Sequence, residues 1–593
     1  MNRSFFNNIS GIGYDPVNYR GLPGKVRYFA LVYSAVILSI YMVLTAGVLP
    51  LFIRGYESLG SDKSRFWMMN YEFCGKLLIA TPLFIFFSFI LGVIAYYDSE
   101  EEKASLLESG YIISVDSSET SVSVYIWTML FLLAAAISFF LSGHKDIAIS
   151  GEEGWYCGMQ QYMAVGVTIL LIPLFKLKHT FFVIVAMLAS FAVNITGLIM
   201  DIFGNVFSLR GWTEGKVSTV GNANWYCGYI VTVFFLGVAL YYSRGGGKQI
   251  RDRINTVFLT VFIAVGAYMY VAQGSASGFV ALFAVCLLLL IISGRDLKKL
   301  LRVSEIFVIF ASGLSVCSVV AVITDHIRAN DAVSRLFAGI PFSVCTLLLS
   351  VLWMISIRIR IKKGSGRALF PVGKVLGIVT SVSLIIYFIL LIINTAAGGR
   401  LFGYGVLFFG QDWGSSRGMT ISVGARLFTG MTVSEKIFGT GPDTFYSLLT
   451  SGRYPALAAE CKKYFSGARL TNAHCEPVTM LVNLGIFGAT CFYGMLFSVL
   501  VKAVRVIACR GNKAGSSPER RAGDENASEG GGSEAESADE HAGDRGFILG
   551  VALCIVAYIV NNLFSFQTVM NLSQISLILG FGASAVMNGK SEE

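Results

Sequence analysis

Long apolar runs recur along most of this chain, and they restrict its fold more than any other feature. Stretches of roughly 18 or more residues with almost no charge are each long enough to cross a hydrocarbon core of about 30 Å. They are expected to form membrane helices beginning near Tyr28, Leu77, Val122, Gly158, Thr180, Tyr226, Asn255, Gly278, Glu305, Ala338, Val375, Thr479, Phe547 and Leu572. That makes about fourteen spans. A soluble globular chain is excluded, because 54% of the 593 residues are hydrophobic, 14% are charged and the mean hydropathy is +0.66. The expected fold is all-α, a polytopic integral membrane bundle with one long loop outside the membrane.

The formal charge of +9 does not call for nucleic acid, since the basic residues sit mainly in short loops between apolar runs. Arg244, Lys248, Arg251 and Arg253 occupy one such loop, Arg295, Lys298, Lys299 and Arg302 the next but one, and Arg358, Arg360, Lys362, Lys363 and Arg367 a third. Alternate loops are basic, so the positive-inside rule makes these three cytoplasmic. Counting outward places both termini in the cytoplasm and the segment 396–477 outside. The acidic stretch from Asp98 disagrees mildly, but acidic residues weigh little in the rule. The first thirty or so residues are polar and Gly-rich and lead straight into a full-length span, so the first helix is expected to be retained. A multi-pass protein of a bacterial cytoplasmic membrane is the expected localisation.

The organisation follows: a cytoplasmic N-terminus (1–27), a bundle of about eleven helices (28–395), the long outer loop (396–477), a further helix (478–500), a cytoplasmic linker (501–546) and a C-terminal membrane segment (547–593). The linker's "GNKAGSSPERRAGDENASEGGGSEAESADEHAGDRG" has almost nothing apolar to bury and is expected to be disordered. The cysteines lie mostly inside apolar runs, although Cys461 and Cys475, in or next to the outer loop, are placed where pairing is open. An internal echo, "GWYCGMQQY" at Gly154 and "NWYCGYIVT" at Asn224, sets Trp155 and Trp225 where an outer loop enters a helix. They read either as interfacial belt residues or as the mouth for a lipid-linked substrate.

Ionisable side chains are nearly absent from the spans, which weighs against an ion-coupled transporter. The polar chemistry is gathered in the outer loop instead. "LTNAHCEPVTMLVNLGIFG" sets His474 and Glu476 directly before a membrane helix, and Arg400, Arg417, Arg426, Arg453 and Arg469 precede them. Guanidinium forks grip phosphate oxygens bidentately and an imidazole exchanges protons near neutral pH, a set suited to a phosphate-bearing lipid head group. Plainer roles stand beside these: His474 as a helix cap, Asp443 of "GTGPDTF" as the cap of a turn, and Asn222 and Asn224 as caps of a membrane helix. Glu152 and Glu153 lack an adjacent histidine or Asp-x-Asp partner, so no metal site is expected.

"SSRGMTISVGARLFTGMTVSEKIFGTGPDTF" followed by "NAHCEPVTMLVNLGIFG" resembles the signature of the O-antigen ligase and polymerase superfamily of bacterial membrane glycosyltransferases. "VGNANWYCGY" and "GSASGFVAL" are similar to two further stretches of that family, and "NNLFSFQTVMNLSQISLILG" is a weaker likeness. The motifs cover 217–580 in the family's order. The resemblance implies a GT-C-like fold and transfer of a glycan from an undecaprenyl-pyrophosphate carrier to an acceptor hydroxyl outside the membrane, without metal, cofactor or nucleotide sugar. It implies that His474 orients or deprotonates the acceptor, which is a glycan, a lipid or a protein. Arg417 would hold the pyrophosphate, with Arg426 as runner-up, and Glu476 and Asn224 would assist binding. Where the family pattern has Asn, Trp and an intramembrane Arg, this chain has Cys475, Ile421 and Ala276, so Arg210 or Lys216 would substitute as phosphate ligand. Ligase, polymerase and protein O-glycosyltransferase share this donor chemistry. A polysaccharide-lipid flippase and a non-catalytic envelope-assembly protein are the rival classes; a flippase would be expected to carry its cations inside a central cavity.

Overall fold

A computed structural model describes residues 21–54, 59–98, 119–175, 177–203, 217–244, 249–323, 332–513 and 531–588. The expectations placed on Arg210 and Lys216, on most of the N-terminal segment, on the acidic stretch after Asp98 and on the middle of the linker lie outside the described residues. Within them the chain is all-helical, and the only β pairing is an isolated bridge between Asp296 and Arg367. Eleven helices are long and apolar enough to cross a membrane, and Val32–Val48 and Met159–Leu174 are shorter apolar helices. The helix Lys76–Asp98 falls on another expected span. This is the architecture of a multi-pass membrane protein.

The helices differ sharply in how much protein surrounds them. Val569–Met587 is 94% buried and Ala223–Ser243 is 83% buried, whereas Ile340–Lys362 is 17% and Val372–Ala396 only 6% buried. Ala223–Ser243 packs along Gly531–Asn562, and Val569–Asn588 along Met159–Leu174. With lipid as solvent there is no hydrophobic drive between helices, so polar side chains supply specific ties. Gln161 Nε2 donates to Ser573 Oγ (2.9 Å) and Gln574 Nε2 to the Thr45 carbonyl (2.6 Å), which explains the amide-rich last helix.

The long segment after Ala396 builds a small core of its own. Met419, Val423 and Leu427, spaced four apart on the helix Trp413–Gly430, meet Phe445, Leu448, Leu449, Leu457, Cys461 and Leu470 from the short helices and turns that follow. Thr432 and Glu435 form a reciprocal capping box that starts Val433–Phe438. Cys461 lies in this core and Cys475 outside it, both as free thiols.

The next helix, Glu476–Lys513, breaks at Gly485 (φ 69°, ψ −175°). The break frees two carbonyls, and the "GTGPD" turn fills them. Thr440 donates both its N–H and its hydroxyl to the Val482 carbonyl (3.1 Å each), while Asn483 O accepts from the Gly441 N–H (3.0 Å) and the Ser138 hydroxyl (2.9 Å). The approach requires glycine at both faces. A Cβ on Gly439 (φ 82°) would lie 2.1 Å from Asn483 O, and one on Gly485 would lie 2.3 Å from Ile437 O.

The expected linker is partly helical. Glu476–Lys513 continues through "VKAVRVIAC", where Ala503, Val506 and Ile507 pack with Ile548, Ala552 and Val586, and the Ala- and Glu-containing stretch from Gly531 opens the helix that ends at Asn562.

Candidate functional site

Arg417, His474 and Glu476 come together because one short turn, Phe564–Gln567, touches all three. Gly414, Ser415 and Ser416 have positive φ, so regular helix begins at Arg417. From there Arg417 Nε donates to the Phe564 carbonyl (2.6 Å) and Nη1 to the Gly414 carbonyl (2.7 Å). Thr420, one turn on, donates to the Ala473 carbonyl (2.7 Å) and so ties this helix to the histidine's loop. His474 sits at φ 47°, in the left-handed region, with its N–H on Asn472 Oδ1 (3.0 Å). Its ring stands edge-on to Phe566, centroids 4.9 Å apart. Glu476 Oε2 accepts from the Gln567 N–H (2.8 Å).

This geometry changes the expected chemistry of the histidine. Burial, together with the positive charge of Arg417, pushes the His474 imidazole down to about 4, so it is neutral at physiological pH. Among the described residues the imidazole makes no hydrogen bond, and Glu476 addresses the 567 backbone instead of the ring. The side chain that closes this loop is that of Asn472, through its bond to the His474 N–H.

Aromatic side chains wall the same place. Trp155 and Trp225, from the two "WYCG" stretches, lie 5.3 Å apart, and Trp155 meets Phe566 edge-on at 4.8 Å. Asn222 caps the helix Ala223–Ser243 by accepting from the N–H groups of Asn224 (2.9 Å) and Trp225 (3.3 Å). Asn224 is otherwise engaged: its Oδ1 accepts from the Ser275 hydroxyl (3.1 Å), beside Ala276.

Three other arginines of the long segment are committed elsewhere. Arg426 pairs with Glu460 (2.7 Å) at an exposed position, Arg453 grips Glu435 with both Nη atoms (2.6 and 3.0 Å), and Arg469 pairs with Glu152. Arg417 differs in that two of its hydrogen bonds go to backbone carbonyls, those of Phe564 and Gly414. Of the sequence candidates, then, Arg417, His474 and Glu476 converge, Asn224 stands behind Trp225, and Arg426 faces Glu460.

Asp443 belongs to the site in a way that local reading of the turn missed. Its φ is 58° and its Oδ2 accepts from the N–H groups of Glu152 (2.8 Å) and Cys157 (3.2 Å), far away in sequence. It is a cap, but for the "GEEGWYCG" loop instead of its own helix. Burial pushes its carboxyl up to about 7. Asp443 and Glu476 line one small recess, about 20 Å³ in volume, with Trp155, Asn483, Phe566 and Gln567. The Gly-Pro-Asp turn was visible in the sequence; its partner loop was not. No protein-family model matches this chain, and no curated protein is similar to it.

Proposed function

We propose that this protein transfers a glycan from an undecaprenyl-pyrophosphate carrier to an acceptor hydroxyl at the outer face of a bacterial cytoplasmic membrane, as an O-antigen ligase or polymerase would. One observation carries the reading: Arg417 and His474, far apart in sequence, are held side by side by the Phe564–Gln567 turn beneath an aromatic wall. In the reaction the acceptor oxygen attacks the anomeric carbon, the bond from that carbon to the pyrophosphate oxygen breaks, and the carrier leaves with the electron pair. Arg417 offsets the negative charge that develops on the leaving group. The neutral His474 accepts a hydrogen bond from the acceptor hydroxyl and takes its proton as the new bond forms. A base this weak orients the hydroxyl and receives the proton late, so general-base help of about 10²–10⁴-fold is the range to expect. Trp155, the partly exposed member of the aromatic wall, offers a ring face to a sugar, with Trp225 and Phe566 buried behind it.

The test is a reconstituted transfer reaction with a labelled undecaprenyl-pyrophosphate glycan and protein shown to be folded. His474→Ala should bind donor and fail to turn it over. Wild-type turnover by that variant would sink the assignment.

A further inference from the structure

We propose that the recess under Phe566 is a cation site in which Asp443, Glu476 and the side-chain oxygens of Asn483 and Gln567 hold one divalent, oxygen-ligated ion, with Ca²⁺ the best fit. Nothing in this depends on the glycan-transfer reading.

The first ground is uncompensated charge. Asp443 is 8% exposed and Glu476 3%. Each has a single oxygen satisfied by backbone, Asp443 Oδ2 by the N–H groups of Glu152 and Cys157 and Glu476 Oε2 by that of Gln567. Among the described residues neither carboxylate is in a salt bridge, and the bonds each makes come from backbone N–H groups. Two buried carboxylates facing one recess are strongly unfavourable unless added protons or a bound cation neutralise them.

The second ground is independent of the carboxylates. Asn483 is 4% exposed, lines the recess, and its Oδ1 has no hydrogen-bond partner. An orphaned buried amide oxygen is costly, so such groups are normally occupied. Gln567 adds a second amide, 5% exposed, which approaches the Tyr558 hydroxyl without hydrogen-bond geometry.

The donor set selects the ion. No three His, Cys, Asp or Glu side chains cluster among the described residues, so a nitrogen- or sulfur-ligated metal has no cage here. Two carboxylates and two amide carbonyls are hard oxygen ligands that Ca²⁺ accepts in flexible geometry, whereas Mg²⁺ demands near-ideal octahedral ligation. Two negative charges match a divalent ion; a monovalent one would leave a net charge buried. An ion here would join three chain segments: the "GTGPD" turn, the start of Glu476–Lys513 and the turn carrying Gln567. These ligands are widely separated in sequence, so no linear motif announces them.

The experiment is thermal unfolding of the full-length detergent-purified protein after EGTA treatment and desalting, titrated with CaCl₂, MgCl₂ or NaCl at matched ionic strength, with bound calcium counted by elemental analysis. Donor and acceptor are absent. The expected result is one Ca²⁺ per chain and a saturable rise in melting temperature, roughly 3 °C at a hundredfold excess over Kd. Glu476→Gln and Gln567→Met, which keep side-chain size, should both fold, as judged by circular dichroism and gel filtration, and should lose the rise. The proposal is overturned if wild type neither binds nor responds to Ca²⁺, if Na⁺ reproduces the response, or if the response survives in both folded variants.

Discussion

The two ends of the Ala223–Ser243 helix handle arginine in opposite ways. At the Arg244 end, three guanidinium groups share one carboxylate: Glu305 Oε2 accepts from Arg244 (2.9 Å) and Arg302 (3.2 Å), and Oε1 from Arg358 (3.3 Å). Arg244 also lies flat on Tyr241, 3.4 Å from the ring centroid. At the Trp225 end, Arg417 hydrogen-bonds to carbonyls, and the carboxylates Asp443 and Glu476 hydrogen-bond to N–H groups. The first end pairs its charges with one another and so welds helices together. The second seats the carboxylates of Asp443 and Glu476 on backbone N–H dipoles, which fixes their orientation toward the recess.

The comparison breaks most completely if the Trp225 end faces the cytoplasm. Reporters placed after Arg253, Arg302 or Arg367 should report cytoplasm, and one inserted in the exposed turn at Gly452 should report the outside. A cytoplasmic signal at Gly452 would end the transfer reading, because the donor's glycan would be on the wrong side.

The next largest effect separates the ends by function. His474→Ala should cut turnover by a factor on the order of 10²–10⁴ with donor binding kept. Arg417→Lys should also fail, since a point charge cannot replace a planar fork held at two carbonyls. Glu305→Gln should do the reverse. It leaves three guanidinium groups around a neutral amide and should cost about 1–3 kcal/mol of stability, read by thermal unfolding, while turnover per folded molecule stays at the wild-type level.

The smallest effect is in pH dependence, where two groups at the Trp225 end oppose each other. His474 is depressed to about 4, so between its ordinary value of 6.5 and 4 the unfolded chain binds the extra proton, and stability falls as pH falls. Asp443 is raised from 3.8 to about 7, so across that window the folded chain binds the extra proton, and stability falls as pH rises. In ion-free protein between pH 4.5 and 6.5, Asp443→Asn should therefore make stability climb more steeply with pH than in wild type, and His474→Ala should make it climb less. Equal slopes in both variants would show that these groups do not titrate as their surroundings dictate.

The membrane helices were legible because each obeys a one-dimensional rule: an apolar run of sufficient length crosses lipid wherever its neighbours stand. For the same reason the expected starts at Val122, Thr180 and Val372's neighbour Val375 fall within a few residues of observed helices. The small core of the long segment was foreshadowed by its aromatic and aliphatic content. His474, Arg417 and Glu476 stood out because ionisable residues are scarce here. What sequence could not supply was partnership. That Arg426 faces Glu460 while Arg417 reaches Phe564, that Glu476 addresses Gln567 instead of the imidazole, and that Asp443 caps a loop near Glu152 all depend on how distant segments pack. Span, charge and helix breaks are properties of neighbours along the chain, so the sequence determined them by itself. The histidine's lowered proton affinity and the paired carboxylates of the recess arise from burial and from charges brought near in space, which only the tertiary structure decides.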